Sequence, residues 1–325
     1  MKVLVGDIGG TNARFRLLEG EAHQWCLRHQ STWSSADYDS LEALLETLMT
    51  NFSRLEQATI DEVWLAVAGP VRAGRVAFTN LPWKADSDAL AARFGWNRVA
   101  LVNDLEALGH ALPGIADNEL MQLQQGRAAD GNRLIVAVGT GLGVAMLKPD
   151  TEGIEVFASE GGHTDFAPVE PTDFELRAFL QARYGHVSQE RVLSGQGLAD
   201  LYRFVCEQQG QVPDPGLLEA PDPPAAINQR AESAQAPMAL ASIRLFARLL
   251  GRFVGNAALF SAAMGGVYLC GGVATRLHPY LCSGEFLAAF RDHGRMAPLM
   301  DQIPVWTIGS TEVGLNGITA LGTRY

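Results

Sequence analysis

The sequence predicts an α/β protein of two lobes with duplicated halves, each built around one glycine-rich β-hairpin. Over residues 3–18 an apolar run, an acidic and glycine-rich turn and an alternating run follow one another, which is typical of strand, tight turn and strand. The same order recurs at residues 134–147, where LIVAV leads into GTGLG and then VAML. The recurrence favours two copies of a βββαβα-type unit, and 325 residues suffice for two domains with sizeable cores. The alternative is a coincidence of two unrelated glycine-rich hairpins.

Between the two hairpins the patterning predicts three further strands and three helices. The strands are expected at residues 61–67, 75–79 and 98–102, and the helices at residues 41–55, 88–94 and 105–112. Asn103 and Asp104 stand directly before the last of these helices, where either side chain could cap it.

After the second hairpin the patterning predicts a more helical second half. Helices are expected around residues 173–184 and over 238–264, a buried strand at 267–270, a closing strand at 305–308 and a final helix at 313–321. Residues 211–224, which contain five prolines, are expected to form a surface excursion.

The position of the final helix predicts how the chain is divided. A helix this short has no core of its own, so we expect it to pack back on the N-terminal sheet. The expected domains are a small one of residues 1–113 with 303–325 and a large one of residues 114–302.

Composition narrows the classes of partner. A formal net charge of -11 argues against nucleic acid and against an anionic membrane surface as partners. The four cysteines form no CxxC or CxC pattern, which favours free thiols over a structural zinc site. No apolar stretch reaches the ~18 residues of a membrane span, and no basic-plus-apolar leader opens the chain. We therefore expect a cytoplasmic protein.

The three lysines, Lys2, Lys84 and Lys148, exclude two common classes of nucleotide-binding protein. None lies in a GxxxxGK[ST] pattern, so the chain is not a P-loop NTPase. None lies in a V-A-I-K context, and no H-R-D or D-F-G occurs, so it is not a protein kinase. If this protein uses ATP, it does so without the usual lysine.

Both glycine-rich turns have the residue types that a phosphate requires. Glycines let backbone N–H groups approach a phosphate closely and add no side-chain bulk. Asp7, at the end of the first strand, offers the hard oxygen that a Mg²⁺ ion accompanying the phosphate prefers. The alternative is an ordinary glycine-rich hairpin.

Asn103 and Asp104 end a strand with an amide and a carboxylate. The carboxyl ends of strands in open α/β sheets are where reactive groups collect. Asp104 could act as the general base toward a substrate hydroxyl, with Asn103 holding the same substrate by hydrogen bonds. On spacing alone, capping of the next helix is the favoured interpretation.

Three further segments carry polar groups or close backbone turns. Glu160 and His163 stand three residues apart across a diglycine and could bind adjacent hydroxyls of a polyol, although His163 could equally be structural and a metal pair lacks a further nearby ligand. Glu190 alone is most simply a capping-box acid with Ser188 or a solvated charge. Gly271 and Gly272 follow a buried strand and could let the backbone approach an adenine or ribose.

Taken together, these segments resemble bacterial glucokinases of the non-ROK type, within the hexokinase and actin-like ATPase superfamily. The matching strings are GDIGGTNAR at 6–14, AVAGPV at 66–71, TNLPW at 79–83, LVND at 101–104, GTGLGVA at 139–145, SEGGHTDFAP at 159–168, GHVSQERVLSGQGL at 185–198 and GGV at 271–273. They occur in family order over almost the whole chain. Residues 211–237 and Ser310-Thr311-Glu312 depart from the family pattern.

The resemblance implies a ribonuclease H-like fold with duplicated domains flanking an active-site cleft. It also implies ATP-dependent phosphorylation of D-glucose at the 6-hydroxyl, with Mg²⁺ as cofactor. A homodimer is implied by the resemblance alone.

The resemblance also assigns residues. Asn103, Asp104, Glu160, His163 and Glu190 are implied as the hexose-binding set, with Asp104 as the base. The implied nucleotide-binding residues are Gly6, Asp7, Gly9, Gly10, Thr11 and Asn12 in the first hairpin, Gly139, Thr140, Gly141 and Gly143 in the second, and Gly271 and Gly272. Asp7 is implied as the acid associated with Mg²⁺ through water.

Several rival functions stay open at this point. A ROK-type sugar kinase would need a cysteine-rich zinc segment after the histidine, and residues 163–210 contain only Cys206. A kinase for another hexose, such as fructose, mannose or N-acetylmannosamine, is the nearest alternative. A nonenzymatic regulator that binds sugar and ATP on the same fold is the alternative from another class.

Overall fold

The computed structural model describes residues 1–21, 24–52, 60–127, 129–151, 153–233 and 236–324. The chain divides into two compact units. The first contains Met1–Ile115 and Thr311–Tyr325, and the second contains Ala116–Ser310. Each unit is built around one large sheet with its own buried hydrophobic residues.

The sheet of the first unit begins with the predicted hairpin. Its strands are β1 (Lys2–Ile8), β2 (Asn12–Glu21), β3 (Gln24–Ser34), β4 (Glu62–Val67) and β7 (Arg98–Asn103), in the spatial order β3-β2-β1-β4-β7, while β5 (Arg75–Ala77) and β6 (Lys84–Asp86) form a separate pair. β1 and β2 are antiparallel with Ile8 opposite Ala13, which confirms the hairpin of residues 3–18. β4 and β7 continue the sheet parallel to β1.

Helices cover both faces of the first sheet. They are α1 (Leu41–Thr50), α2 (Ser87–Phe94), α3 (Asp104–Ala111) and α13 (Val313–Gly322). The core on one face includes the buried side of α1, with Leu41, Leu44, Leu45 and Leu48 fully buried. The core on the other face joins Val3 and Val5 of β1 to Leu315 and Ile318 of α13. The helix predicted at 41–55 ends at Thr50, and its last three predicted residues lie outside the described residues.

The sheet of the second unit repeats the strand order of the first. Its strands are β8 (Leu120–Gln124), β9 (Arg133–Val138), β10 (Leu142–Asp150), β11 (Gly153–Ser159), β12 (Gly266–Cys270) and β13 (Val305–Ile308), in the spatial order β11-β10-β9-β12-β13-β8. β9 and β10 form the second predicted hairpin. β12 and β13 follow β9 in parallel, as β4 and β7 follow β1. The matching order is the topology that a duplicated unit predicts.

The described helices of the second unit pack against its sheet and against each other around one large core. They are α4 (Pro171–Tyr184), α5 (Gln189–Val192), α6 (Gly195–Gln208), α7 (Pro215–Leu218), α8 (Pro223–Ala231), α9 (Pro237–Ser261), α10 (Gly272–Leu281), α11 (Glu285–Arg291) and α12 (Ala297–Met300). The 25-residue α9 buries Phe246, Leu250 and Val254 at helical spacing. Among the described residues, no helix has both the length and the apolar composition needed to cross a bilayer.

The proline-rich segment, predicted as a surface excursion, contains helical structure that the sequence analysis did not predict. Residues 211–224 contain α7 and the start of α8, and each helix has proline at its first position. Proline fits there because the first helical N–H needs no partner within the helix. Asp214 and Asp222 cap the two helices through the backbone N–H groups of Gly216 and Ala225.

The C-terminal segment that returns to the first unit begins at Thr311, later than the predicted residue 303. β13 pairs in parallel with β12, so residues up to Ser310 belong to the second unit, and Thr311 is the first residue that returns to the first. The strand was assigned to the wrong domain because a buried four-residue strand carries no signal of which sheet it joins. The final helix does pack on the N-terminal sheet, with Leu315 and Ile318 fully buried.

Candidate active site

The first glycine-rich turn, residues 9–12, is held to the protein through its carbonyl oxygens. Gly9 N donates to Asn12 O at 2.9 Å, Ser35 Oγ donates to Gly9 O at 2.8 Å, and Ser35 N donates to Thr11 O at 3.0 Å. Ser35 is fully buried, whereas Thr11 is exposed. A Cβ at Gly10 would lie 3.0 Å from Asn80 Cβ. The turn is therefore fixed by protein donors to its carbonyl oxygens, and Thr11 is its exposed residue.

Gly6 has a packing role, and it does not belong to this turn. It lies within β1 and is buried, and a Cβ there would meet the Phe15 ring at 2.7 Å and Leu65 Cδ2 at 2.8 Å. A side chain at residue 6 would overlap these two neighbours, so packing requires glycine there, and the nucleotide contact of Gly6 stays a prediction.

Asp7 stands between the turn and the start of α13. Its carboxylate is 3.9 Å from the Arg14 guanidinium on the paired strand, and its side chain is 19% exposed. A Cβ at Gly314 would lie 2.8 Å from Asp7 Oδ2, so the helix start closes over the carboxylate. Burial raises the pKa of Asp7 above its ordinary value, and the Arg14 charge opposes that rise. A carboxylate so placed is a hard oxygen donor of the kind Mg²⁺ prefers.

Asn103 and Asp104 lie where β7 becomes α3, and they have different local roles. Asn103 is the N-cap: its Oδ1 accepts from Leu105 N at 3.0 Å and Glu106 N at 3.4 Å, and its Nδ2 donates to Gly69 O at 3.0 Å. Asp104 is the first helical residue, with Oδ1 3.0 Å from Leu105 N. Both side chains are half-buried. Since Asn103 does the capping, the presence of a carboxylate at Asp104 is not explained by the cap.

Removing the Asn103 side chain is expected to destabilise the first unit. Asn103→Ala loses both cap bonds and the bond to Gly69, so the free energy of unfolding should fall by about 0.5–2 kcal/mol. Asn103→Ser restores a capping oxygen but not the Nδ2 donor, so chemical denaturation of the two variants separates the cap from the second bond. Equal stability of Asn103→Ala and the parent chain would contradict the capping geometry.

The second glycine-rich turn, residues 139–142, is also tied on both sides. Gly139 N donates to Gly141 O at 3.0 Å, and Gly195 N, at the start of α6, donates to Gly139 O at 2.9 Å. Leu142 N donates to Glu190 Oε2 at 2.9 Å. Thr140 is exposed at the tip, and Gly143 already lies within β10 opposite Ala137. Gly195 was not predicted, since a contact across 56 residues leaves no local pattern.

Glu160, His163 and Glu190 meet beside this turn. His163 Nε2 is 3.8 Å from Glu160 Oε2, and His163 Nδ1 is 3.9 Å from Glu190 Oε1. The side chains of Glu160 and His163 are more than half exposed, at 67% and 57%, while that of Glu190 is 32% exposed. The cluster thus offers carboxylate and imidazole groups to solvent, which suits the binding of vicinal hydroxyls. Among the described residues, no group of three or more His, Cys, Asp or Glu side chains is arranged so that it could hold a metal ion.

Glu190 is not the capping-box acid. Ser188 caps α5 by accepting from Arg191 N at 3.3 Å, and Glu190 is one residue too early to return the bond. Its segment is brought to His163 by two backbone bonds, Phe166 N to Val187 O and Gln189 N to Thr164 O, both 2.9 Å.

Gly271 sits where β12 becomes α10, next to the second turn. Its φ of 91° lies in the region that favours glycine, and a Cβ there would be 2.5 Å from Val138 O. At Gly272 a Cβ would meet nothing within 4 Å. Gly271 is therefore required by packing, and Gly272 keeps open space at the start of a helix.

The predicted hexose set is divided between the units. Asn103 and Asp104 belong to the first unit, and Glu160, His163 and Glu190 belong to the second. The two predicted phosphate turns are divided in the same way, with residues 9–12 in the first unit and 139–142 in the second.

Comparison with known proteins gives one consistent family. The family model described as Glucokinase matches residues 4–324. A glucokinase of Marinobacter nauticus is 38% identical over 98% of this chain and 97% of its own length, and one of Chromohalobacter salexigens is 40% identical over 97% and 95%. The crystal structure of a glucokinase from an Antarctic psychrotroph superposes with a TM-score of 0.82 at 30% identity, covering 100% of this chain and 99% of that one.

Proposed function

The chain belongs to the glucokinase family, and from this membership we infer that it transfers the γ-phosphoryl group of ATP to the 6-hydroxyl of D-glucose. The products are glucose 6-phosphate and ADP, and the enzyme is an ATP-dependent glucokinase (EC 2.7.1.2). The observation that carries this conclusion is the family match over residues 4–324, joined to relatives of 38% and 40% identity over nearly their whole length. The fold is that of the actin-like sugar kinases.

We propose that the hexose is held by Asn103 and Asp104 of the first unit and by Glu160, His163 and Glu190 of the second. The proposal is supported by the contacts within the second unit and by the hydrogen-bonding chemistry of these side chains. His163 lies within 4 Å of both Glu160 and Glu190, although Glu190 comes from a later segment of the chain, and all three side chains are at least partly exposed. A site that hydrogen-bonds each sugar hydroxyl discriminates against sugars that lack one, because its own polar groups would be left unpaired.

In this proposal Asp104 is the general base. As the 6-oxygen bonds to the γ-phosphorus and the bond to the bridging oxygen of ADP breaks, the hydroxyl proton passes to the Asp104 carboxylate. Asp104 Oδ1 is held by Leu105 N at 3.0 Å, which fixes the carboxylate at the start of α3. The N-terminal end of a helix also favours a negative charge there.

The nucleotide phosphates are proposed to lie against the two glycine-rich turns, at Gly9, Gly10, Thr11 and Asn12 in the first and at Gly139, Thr140 and Gly141 in the second. Gly6 of β1 and Gly143 of β10 adjoin these turns and keep the nucleotide role that the resemblance implies. Gly272 is proposed to face the adenosine, with Gly271 supporting it by packing. Asp7 would hold Mg²⁺ through water, and the ion when bound would neutralise charge on the phosphates. Since the chain has no P-loop lysine, the proposal assigns charge neutralisation to the ion and the hydrogen bonding of the phosphates to backbone N–H groups.

A coupled assay of ADP formation tests the function. We expect ADP release that depends on glucose, on ATP and on Mg²⁺, with kcat/KM for glucose above that for fructose, mannose and N-acetylmannosamine. A higher kcat/KM for another hexose would reassign the substrate. Binding of glucose and ATP without turnover would favour the nonenzymatic regulator.

Two further properties are proposed from the family alone. The chain is expected to act in the cytoplasm, since its phosphoryl donor ATP is supplied there. It is also expected to form a homodimer, which light scattering during size-exclusion chromatography would test by mass.

A further inference from the structure

We propose that Glu190 couples hexose binding to the second phosphate turn, so that a bound sugar orders residues 139–142 for the nucleotide. The proposal deepens the proposed function and rests on it. It assigns Glu190 a second task besides contact with sugar: it is the positioning residue for the backbone that receives phosphate.

The two oxygens of the Glu190 carboxylate face different partners. Oε2 accepts from Leu142 N of the turn at 2.9 Å. Oε1 is 3.9 Å from His163 Nδ1, on the side of the proposed hexose set. One rigid, planar group therefore touches both sites, and any sugar hydroxyl that fixes Oε1 also fixes the acceptor of the Leu142 N–H group.

Close packing prevents residues 139–142 from moving independently of Glu190. A Cβ at Gly141 would lie 2.5 Å from Glu190 Oε2, and a Cβ at Gly162 would lie 1.9 Å from Leu142 O. Leu142 is thus enclosed, with its N–H on Glu190 and its carbonyl against the diglycine that separates Glu160 from His163. The segment that carries Glu190 and the segment that carries Glu160 and His163 therefore both contact Leu142.

The physical consequence is a coupling between the two ligands. A ligand that finds its site already ordered loses less conformational freedom on binding. Coupling between sites typically changes affinity about 5–150-fold, and it must be equal in both directions. Glucose should therefore raise nucleotide affinity, and the nucleotide should raise glucose affinity by the same factor.

The experiment measures this factor directly. Isothermal titration gives the Kd of the nonhydrolysable analogue AMPPNP with Mg²⁺, in the absence and in the presence of saturating glucose. For the parent chain we expect glucose to lower the AMPPNP Kd at least 5-fold. Glu190→Ala should bring the ratio of the two Kd values close to one. Glu190→Gln keeps an oxygen that can accept from Leu142 N, so it should retain most of the ratio even if its own glucose affinity falls.

Two glycines of the turn provide a matched pair. Gly141→Ala pushes the Glu190 carboxylate aside, so glucose affinity measured without nucleotide should fall roughly tenfold, although residue 141 has no proposed sugar contact. Gly139→Ala meets nothing within 4 Å, so its glucose affinity should match that of the parent chain. Glu160→Ala, on the same sugar cluster but without a bond to the turn, should weaken glucose binding and leave the AMPPNP Kd without glucose unchanged.

Each outcome decides something different. If Gly141→Ala binds glucose as the parent chain does, or Glu190→Ala keeps the parent Kd ratio, the coupling role of Glu190 is wrong. If Gly141→Ala and Gly139→Ala weaken glucose equally, the effect belongs to the turn as a whole and the proposal is likewise overturned. If the parent chain binds neither glucose nor AMPPNP, the proposed function itself fails. Thermal melting of each variant identifies any that do not fold. If Glu190→Ala is one of them, the comparison of Gly141→Ala with Gly139→Ala decides the proposal.

Discussion

Replacing Asp104 by asparagine is expected to lower kcat by about 10²–10⁴-fold, the usual contribution of a positioned general base. The amide keeps the size of the carboxylate and one oxygen, so the bond from Leu105 N at 3.0 Å can persist. What it cannot do is accept the proton of the 6-hydroxyl. The KM for ATP should change little, because the proposed phosphate contacts are in the glycine-rich turns. Steady-state kinetics at saturating glucose and ATP make the comparison.

The structure argues against lost helix capping as the cause of a lower rate in Asp104→Asn. Asn103, not Asp104, is the N-cap of α3, so loss of the Asp104 charge should reduce stability only by the ~0.3–1 kcal/mol of a charge at a helix start. A melting temperature close to that of the parent chain would exclude unfolding as the cause of a lower rate. Turnover within a few-fold of the parent chain would show that Asp104 is not the base.

The hairpins were predictable because their signal is local. In each, apolar runs flank a turn of glycine and threonine, and the structure places β1 with β2 and β9 with β10 as expected. The long helix α9 and the buried strand β12 were predictable for the same reason, since periodicity or its absence is complete within one element. The repeated strand order of the two sheets then follows from the duplication.

The third strand of each unit was missed because it is an edge strand. β3 and β11 carry mixed polar and apolar residues, and most of their side chains are exposed or half-exposed. Strands with one free edge and little burial lack the alternation by which strands are recognised. They could have been inferred only from the predicted βββαβα-type unit, which requires a third strand after each hairpin.

The residue types of the candidate site could be predicted from the sequence, but the hydrogen bonds and packing contacts among them could not. The sequence placed Glu190 in the hexose set only through resemblance, and its bond to Leu142 spans 48 residues. The resemblance alone assigned Gly6 to the nucleotide, and the structure adds that Phe15 and Leu65 leave no room for a side chain there. Whether a glycine serves a ligand or a neighbouring side chain depends on tertiary packing, which spacing along the chain does not contain.

The second large effect is expected at Gly317 in α13, where alanine should destabilise the first unit by about 3 kcal/mol, the upper end of ordinary overpacking. A Cβ at Gly317 would lie 1.7 Å from Ala107 O and 2.5 Å from the carbonyl carbon of that residue. Because the obstacle is the backbone of α3, no rotamer change can relieve it, and the two helices must separate over the core that Leu315 and Ile318 fill. The better helix propensity of alanine offsets only ~1 kcal/mol.

Gly314→Ala in the same helix is the matched control for Gly317→Ala, and thermal melting compares them. Its Cβ would meet the carboxylate of Asp7 at 2.8 Å, the movable end of a side chain, so the same chemical change should alter stability far less. We expect Gly317→Ala to lower the Tm by roughly 5–10 °C and Gly314→Ala to leave it nearly unchanged. Equal melting of the two variants would contradict the backbone contact between α3 and α13.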